Sequence, residues 1–191
     1  MRKDIFLFRH GETDFNKRGL VQGQTCDIGL NEIGVEQAKK LAEKLQDINL
    51  QVIFSSPLQR ALQTAEIIAK SKNIPVIIEK GFIEINLGEA EGKRKSELDE
   101  EEFRLWMCWE EPSFAFKGGE DRIDAERRAM EALGRIINTE YDIIGVATHG
   151  ALTSTIFHFF GIETNYNLPQ GRAFHIIYED GKFELIKDFD L

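Results

Sequence analysis

Four short apolar runs divide the chain into strand-sized units. Each run is too short for a helix and contains the β-branched or aromatic residues that are typical of buried strands. The runs are Ile5 to Phe8, Val52 to Phe54, Val76 to Ile78 and Ile143 to Ala147. Near the C-terminus, segments 173–178 and 182–186 flank Asp180 and Gly181, a turn pair suited to positive φ, and predict a hairpin.

Between these strands, apolar residues recur at the spacing of an α-helix and predict four helices. This spacing begins after Asn31, a good N-cap, and recurs from 57 to about 70, from 121 to 138 and from 151 to 160. Strands alternating with helices predict an α/β fold, with three αβα layers around a mostly parallel central sheet.

Two segments lie outside this pattern of strands and helices, and we predict a different structure for each. Residues 9–30 predict a long, glycine-punctuated loop, and loops of this length are usually functional. Residues 93–118 predict a small helical, lid-like insertion rich in aromatic residues. Trp106 and Trp109 within it lie three residues apart and are expected to pack against the body. We expect the chain, 1–191, to form one domain.

The start of the helix after the second strand predicts a specific local structure. Ser56 as N-cap, Pro57 at the first position and Gln59 at the third form a capping box. Arg60 then lies in the first turn, where its charge opposes the positive end of the helix dipole. Because a local rule broken in this way often marks a functional site, we expect an anion to bind there.

The composition argues against several classes of protein, among them nucleic-acid-binding and membrane-spanning proteins. A net charge of -9 and the lack of any lysine- and arginine-rich run argue against nucleic-acid binding. No apolar stretch is long enough for a membrane helix or a signal-peptide core, so we expect a cytoplasmic protein. Cys26 and Cys108 form no CxxC pair, and their spacing predicts neither a disulfide nor a metal site.

Chemically capable side chains are predicted at the strand ends or in the loops beside them. Arg9 and His10 follow the first strand, Arg60 opens a helix after the second, and Glu84 and His149 follow the third and fourth. In such folds the carboxyl ends of the strands are where ligands bind. Guanidinium groups match phosphate oxygens, a neutral imidazole can attack phosphorus, and a carboxylic acid can protonate a departing alkoxide. The nucleotide motifs GxxxxGK[ST] and GxGxxG are absent.

Together these motifs resemble the histidine phosphatase superfamily, also called the phosphoglycerate mutase-like family. The matching stretches span nearly the whole chain in the family's order. They are Arg9-His10-Gly11-Glu12-Thr13 with Asn16, Gln22-Gly23-Gln24, Ser55 to Ala61 with Thr64-Ala65, Glu84 to Gly88 with Glu91-Gly92, Gly118-Gly119-Glu120, and Thr148-His149-Gly150. The resemblance implies a phosphoglycerate mutase-like fold and phosphoryl transfer without a metal or other cofactor.

The resemblance also implies residue roles. His10 is the expected phosphorylated nucleophile and Glu84 the expected proton donor. The expected phosphate-binding positions are Arg9, Asn16, Gln22, Gly23, Arg60, His149 and Gly150.

Two departures from the family pattern bear on the reaction. Ile85 follows Glu84 where similar glycolytic mutases carry an arginine for the substrate carboxylate, and Ala151 stands where they carry asparagine. Both favour a phosphatase acting on a small phosphomonoester. The alcohol stays open among phosphoserine, α-ribazole phosphate, sugar phosphates and nucleotides. A mutase and a catalytically weak phosphate-binding module remain as alternatives, and we expect a monomer or a homodimer.

Overall fold

The computed structural model describes residues 1–162 and 168–189. Within these ranges the strands are β1 (Arg2–Arg9), β2 (Val52–Ser55), β3 (Val76–Ile78), β4 (Ile143–Thr148), β5 (Ala173–Glu179) and β6 (Lys182–Phe189). The α-helices are α1 (Asp14–Arg18), α2 (Glu32–Lys44), α3 (Gln59–Lys72), α4 (Glu100–Met107), α5 (Arg122–Ile137) and α6 (Gly150–Phe159). Short 3-10 turns occur at Lys80–Phe82, Gly88–Ala90 and Lys95–Glu97.

The strands form one mixed sheet in the order β3-β2-β4-β1-β5-β6. Strands β1 to β4 are mutually parallel, whereas β5 pairs antiparallel with β1, and β6 pairs antiparallel with β5 at the edge of the sheet. The predicted α/β fold is therefore confirmed, and each predicted strand lies within an observed one.

Helices cover both faces of the sheet, which explains why the first apolar run does not alternate with polar residues. Successive side chains of a strand point to opposite faces. Ile5 and Leu7 pack into a core with α5 and α6, whereas Phe6 and Phe8 pack into a second core with α2 and α3. No helix within residues 1–162 or 168–189 is long and apolar enough to cross a membrane.

The long loop at 9–30 contains the short helix α1, which the apolar pattern does not predict. Its N-terminus is a capping box, in which Thr13 Oγ1 accepts from the main-chain N–H of Asn16 at 3.2 Å. In return, Asn16 Oδ1 accepts from the main-chain N–H of Thr13 at 3.1 Å. Five residues are too few for an apolar stripe, so only the capping residues could have indicated this helix.

The capping box predicted at Ser56 is wrong. Helix α3 begins at Gln59, and the carboxylate of Asp27 accepts the main-chain N–H of Gln59 at 2.7 Å. A carboxylate at this end also suits the helix dipole. Ser56 Oγ instead accepts the main-chain N–H of Leu58 at 3.3 Å and lies 2.7 Å from His149 Nε2.

The 93–118 segment contains α4 and packs against the body, as predicted for its tryptophans. Trp106 contacts the core beneath α5 and α6, and its ring centroid lies 6.2 Å from that of the buried Phe116. Trp109 stacks on His158 of α6 with ring centroids 3.8 Å apart. These contacts place α4 over the carboxyl end of the sheet, beside the candidate site.

Candidate active site

Strand register brings the two sequence motifs Arg9-His10 and Thr148-His149 side by side. Arg9 at the end of β1 pairs with Thr148 at the end of β4. The main-chain N–H of His10 donates to the Thr148 carbonyl at 3.1 Å. The imidazole rings of His10 and His149 consequently lie with centroids 5.2 Å apart.

The imidazole of His10 has a fixed orientation. Its Nδ1 lies 2.7 Å from the carbonyl oxygen of Gly11, which can only accept, so Nδ1 carries the hydrogen. Nε2 of a neutral ring is then the basic nitrogen. Gly11 packs tightly against α2, and a Cβ at this position would lie 2.4 Å from the Gly34 carbonyl oxygen. Only glycine allows this approach, which fixes the chain directly after His10.

Both histidines are held neutral by their surroundings. Burial, reinforced by the charges of Arg60 and Arg9, lowers the pKa of His10 well below its ordinary value of 6.5. Burial and the same two arginines also lower the pKa of His149. His10 therefore presents an unprotonated Nε2 at neutral pH.

The lowered histidine pKa values predict a loss of stability in mild acid. Below about pH 6.5 the unfolded chain binds protons at these positions and the folded chain does not, so protons favour unfolding. The free energy of unfolding should fall by up to about 1.4 kcal/mol per pH unit for each histidine. Urea denaturation between pH 7.5 and 5.5 measures this slope. The double variant His10→Asn/His149→Asn should have a markedly shallower slope, and an unchanged slope would contradict the prediction.

Two guanidinium groups, that of the fully buried Arg60 and that of the half-buried Arg9, lie beside the histidines. Arg60 has no exposed surface, and one of its terminal nitrogens donates to the Gly23 carbonyl at 2.7 Å. Arg9 donates to the Leu168 carbonyl. Burial lowers the pKa of Arg9 to about 10 and also lowers that of Arg60, while the charge of Glu84 opposes both shifts. Both remain cations at neutral pH.

Several buried nitrogens in this cluster have no hydrogen-bond partner within the ranges that the structure describes. They are Arg9 Nε, Arg60 Nε, a terminal nitrogen of Arg60 and His149 Nδ1. Unpaired buried polar groups are unfavourable, and folded proteins rarely leave several of them together. A ligand rich in acceptor oxygens is the simplest partner for such a cluster.

Glu84 is anchored to the N-terminus of α6. Its Oε1 accepts from the main-chain N–H groups of Ile85 and Leu152, both at 3.0 Å, and its Oε2 accepts from that of Ala151 at 3.2 Å. The side chain is largely buried, yet it lines the cavity at the end of the sheet. The N-terminus of α6 thus fixes the position of Glu84 in the cavity that His10 also lines.

Arg128 of α5 holds the main chain on which Glu84 is carried, a role that the apolar pattern does not reveal. Its guanidinium donates to the carbonyls of Gly81, Ile83 and Glu84 at 2.8, 2.7 and 3.1 Å. It also pairs with both carboxylate oxygens of Glu120, at 2.6 and 2.9 Å. The position of Glu120 after Gly118-Gly119 is the available sequence signal for this network.

Glu91 fixes the loop that positions Arg60. Its Oε1 accepts from the main-chain N–H groups of Gln24 and Leu87 at 2.9 and 2.8 Å, and its Oε2 accepts from that of Thr25 at 2.6 Å. Gly23 adopts a positive φ of 52°, and a Cβ there would lie 1.9 Å from Glu91 Oε1. The loop therefore needs glycine at 23 to bring its carbonyl to Arg60.

A cavity of about 260 Å³ opens at the carboxyl end of the sheet. It is lined by all but one of the residues predicted for the site, namely Arg9, His10, Asn16, Gln22, Gly23, Arg60, Glu84 and Gly150. His149 is the exception. It is fully buried behind His10 and, in the described part of the chain, does not border the cavity. Its Nε2 lies 2.7 Å from Ser56 Oγ, a contact that the helix-cap interpretation of Ser56 missed.

The other two histidines lie outside the cavity lining in the described part of the chain. His158 stacks on Trp109, and His175 stacks on Phe6 and lies 2.6 Å from the Asp4 carboxylate. Within residues 1–162 and 168–189, no group of three or more His, Cys, Asp or Glu side chains is placed to hold a metal ion.

Comparison with curated proteins connects this site to known phosphatases. The chain is 44% identical over 136 residues to phosphoserine phosphatase 1 of Hydrogenobacter thermophilus, a match that covers 69% of this chain and 63% of that protein. It is 34% identical over 160 residues to the metal-independent phosphoserine phosphatase of Arabidopsis thaliana, covering 81% and 67%. The match thus spans less than two thirds of the Hydrogenobacter relative.

Solved structures share the fold over the whole chain. Bacillus stearothermophilus YhfR superposes with a TM-score of 0.85 at 30% identity, covering 96% of this chain and 95% of that one. The phosphoserine phosphatase of Entamoeba histolytica, solved with 3-phosphoglyceric acid, gives a TM-score of 0.82 at 29% identity, covering 99% and 98%.

A family-level comparison covers nearly the full length of the chain. Residues 5–187 match the family described as histidine phosphatase superfamily (branch 1). This range begins in β1, just before Arg9 and His10, and ends in β6. The chain therefore belongs to the histidine phosphatase superfamily.

Proposed function

We propose that this protein is a phosphomonoesterase that hydrolyses a small phosphorylated metabolite through a phosphohistidine on His10, without a metal. The observation that carries the proposal is the pair of arginines, Arg9 and Arg60, whose buried N–H groups lack acceptors in the described structure and lie beside a neutral imidazole. A phosphoryl group supplies oxygens for these donors and an electrophilic phosphorus for Nε2. The phosphatase names of the relatives agree with this chemistry.

In the proposed first step, the lone pair of His10 Nε2 attacks phosphorus and the ester P–O bond breaks. The protonated carboxyl of Glu84 gives its proton to the departing alkoxide. Arg9 and Arg60 stabilise the negative charge on the phosphoryl oxygens, and the neutral His149, buried beside His10, supports the site with its unpaired ring nitrogen. In the second step, water attacks phosphorus, the P–N bond breaks and Glu84 takes the proton from water. Phosphate leaves, and both side chains return to their starting protonation.

The surroundings of Glu84 favour hydrolysis over transfer to a sugar acid. Ile85 is fully buried in the core with α5 and α6, so the position after Glu84 offers no cation to a substrate carboxylate. Ala151 contributes its main-chain N–H to Glu84 and no polar side chain to the cavity. A pure binding module would have no use for an acid at this position.

The proposal is tested by measuring phosphate release from a panel of phosphomonoesters, including phosphoserine and 3-phosphoglycerate, in excess EDTA. Release that persists under chelation is the expected result. Isomerisation of 3-phosphoglycerate without release would instead indicate a mutase. Binding of inorganic phosphate with no turnover of any ester would indicate the binding module.

Arg60→Ala is expected to lower kcat/KM by about 10²-fold, because it removes a fixed charge that stabilises the transferring phosphoryl group. Steady-state kinetics on one ester measures the loss, with circular dichroism to check the fold. Arg127→Ala is the matched control, since Arg127 is an exposed arginine paired with Asp124 on α5. A loss below about threefold in Arg60→Ala would remove this guanidinium from the phosphoryl site.

A further inference from the structure

The outer half of the cavity differs in chemistry from the end that contains His10. Its wall is built largely of apolar side chains. They are Leu20, Leu98, Phe103, Trp106, Met107 and Phe116, and the buried indole N–H of Trp106 adds one donor that has no hydrogen-bond partner within the described ranges. Ligand pockets of this type bury apolar groups of the ligand against such walls and use a few polar groups to fix orientation. The wall is continuous with the proposed phosphoryl site, so it faces whatever is esterified to the phosphate.

The charges around the cavity are almost all of one sign. Among the described residues, Arg9, Arg60 and Lys95 are the lysines and arginines in the lining, and Glu84 is the one carboxylate. The two oxygens of Glu84 already accept three main-chain N–H groups, which leaves about one site on the carboxyl group, and in the proposed mechanism that site carries the proton for the leaving oxygen. A substrate ammonium would therefore be desolvated here without an anionic partner, which is unfavourable.

A stack of side chains fixes the position of Trp106 in this wall. The guanidinium carbon of Arg122 lies 5.1 Å from the Trp106 ring centroid and 4.3 Å from that of Trp109. Arg122 is buried and also donates to the Trp106 carbonyl. Trp109 in turn stacks on His158. Cation–π and ring contacts of this kind join α4 to α5 and α6, so the apolar wall is a built surface.

We propose that the alcohol part of the natural substrate is apolar, of the size of a ring or a branched chain, and that the α4 wall selects it over zwitterionic alcohols such as serine. This inference rests on the proposed phosphatase function. It separates this chain from the phosphoserine phosphatases to which it is similar, because the described wall offers no counterion for the serine ammonium.

The test compares kcat/KM for four primary alkyl esters: ethyl phosphate, phenethyl phosphate, phosphoethanolamine and phosphoserine. All four release a primary alkoxide, so differences report mainly on recognition. Phenethyl phosphate should exceed ethyl phosphate by about 10- to 100-fold, the effect of burying one aromatic ring. Phosphoethanolamine and phosphoserine should fall below ethyl phosphate.

A substitution in the apolar wall tests whether one of its side chains causes the preference for phenethyl phosphate. Phe103→Ala should lower kcat/KM for phenethyl phosphate by about tenfold and for ethyl phosphate by less than about twofold. Leu105→Ala is the matched control, since Leu105 lies on the same helix and, in the described structure, does not line the cavity. It should leave the ratio of the two rates unchanged.

The possible results of these experiments distinguish a failure of the proposed substrate preference from a failure of the proposed phosphatase function. A preference for phosphoserine over phenethyl phosphate, or an equal loss on both esters in Phe103→Ala, would overturn the inference and leave the phosphatase function standing. No phosphate release from any of the four esters or from an aryl phosphate would overturn both.

Discussion

His10→Ala is expected to abolish phosphate release, with a loss in kcat/KM of at least about 10⁴-fold, the scale seen when an enzyme loses its nucleophile. The reason is local. Nε2 of His10 is the basic nitrogen of a buried, neutral ring, and Nδ1 is occupied by the Gly11 carbonyl. The second histidine cannot replace it, because His149 lies behind His10 and its Nε2 contacts Ser56.

Measuring phosphate binding by His10→Ala shows whether the variant has lost only its nucleophile or the whole phosphate site. Arg60 and Arg9 are held by the carbonyls of Gly23 and Leu168, and neither contact involves the His10 side chain. Calorimetry should therefore show that His10→Ala still binds inorganic phosphate, with a Kd within about tenfold of the wild-type value. Residual turnover above about one part in a hundred would remove His10 from the nucleophile role.

Glu84→Gln is expected to lower kcat/KM for alkyl phosphates by about 10³-fold and for aryl phosphates by less than about tenfold. An alkoxide needs a proton as it departs, whereas a phenolate departs without one. Because kcat/KM reports the steps up to release of the alcohol, the later attack of water does not obscure the comparison. Glutamine keeps the size of the side chain and an acceptor oxygen for the N-terminus of α6.

Kinetics on a series of leaving groups checks this expectation. Glu89→Gln is the matched control, since Glu89 lies in the nearby 3-10 turn Gly88–Ala90 and, in the described part of the chain, outside the cavity lining. Equal losses of Glu84→Gln activity on alkyl and aryl esters would contradict the role of Glu84 as proton donor.

Much of the fold follows from local pattern. Buried strands show as short apolar runs, helices as apolar stripes, and the parallel register then brings Arg9 and Thr148 together. All the predicted site residues except His149 line one cavity, because the carboxyl ends of parallel strands share one edge of the sheet. Arg60, whose charge conflicts with its helix end, is fully buried and lines this cavity, while the anion expected at this position stays a prediction.

Tertiary contacts decided what local pattern could not. Ser56 looks like a helix cap because its neighbours fit a capping box, yet Asp27, 32 residues before Gln59, provides the acceptor for the Gln59 N–H. The burial of His149 behind His10 depends on side-chain packing across two strands. The apolar wall similarly depends on how α4 folds back over the sheet, which the spacing of Trp106 and Trp109 alone does not specify.

The phosphohistidine is the centre of the proposed mechanism, and trapping it is the most direct test. Wild type and Glu84→Gln would be mixed with an aryl phosphate, quenched in alkali and examined by mass spectrometry of the peptide that contains His10. The expected result is one acid-labile phosphoryl group on His10, more abundant in Glu84→Gln because attack of water on the intermediate loses its base. Phosphate release with no such group, or with the phosphoryl group on another residue, would contradict the mechanism.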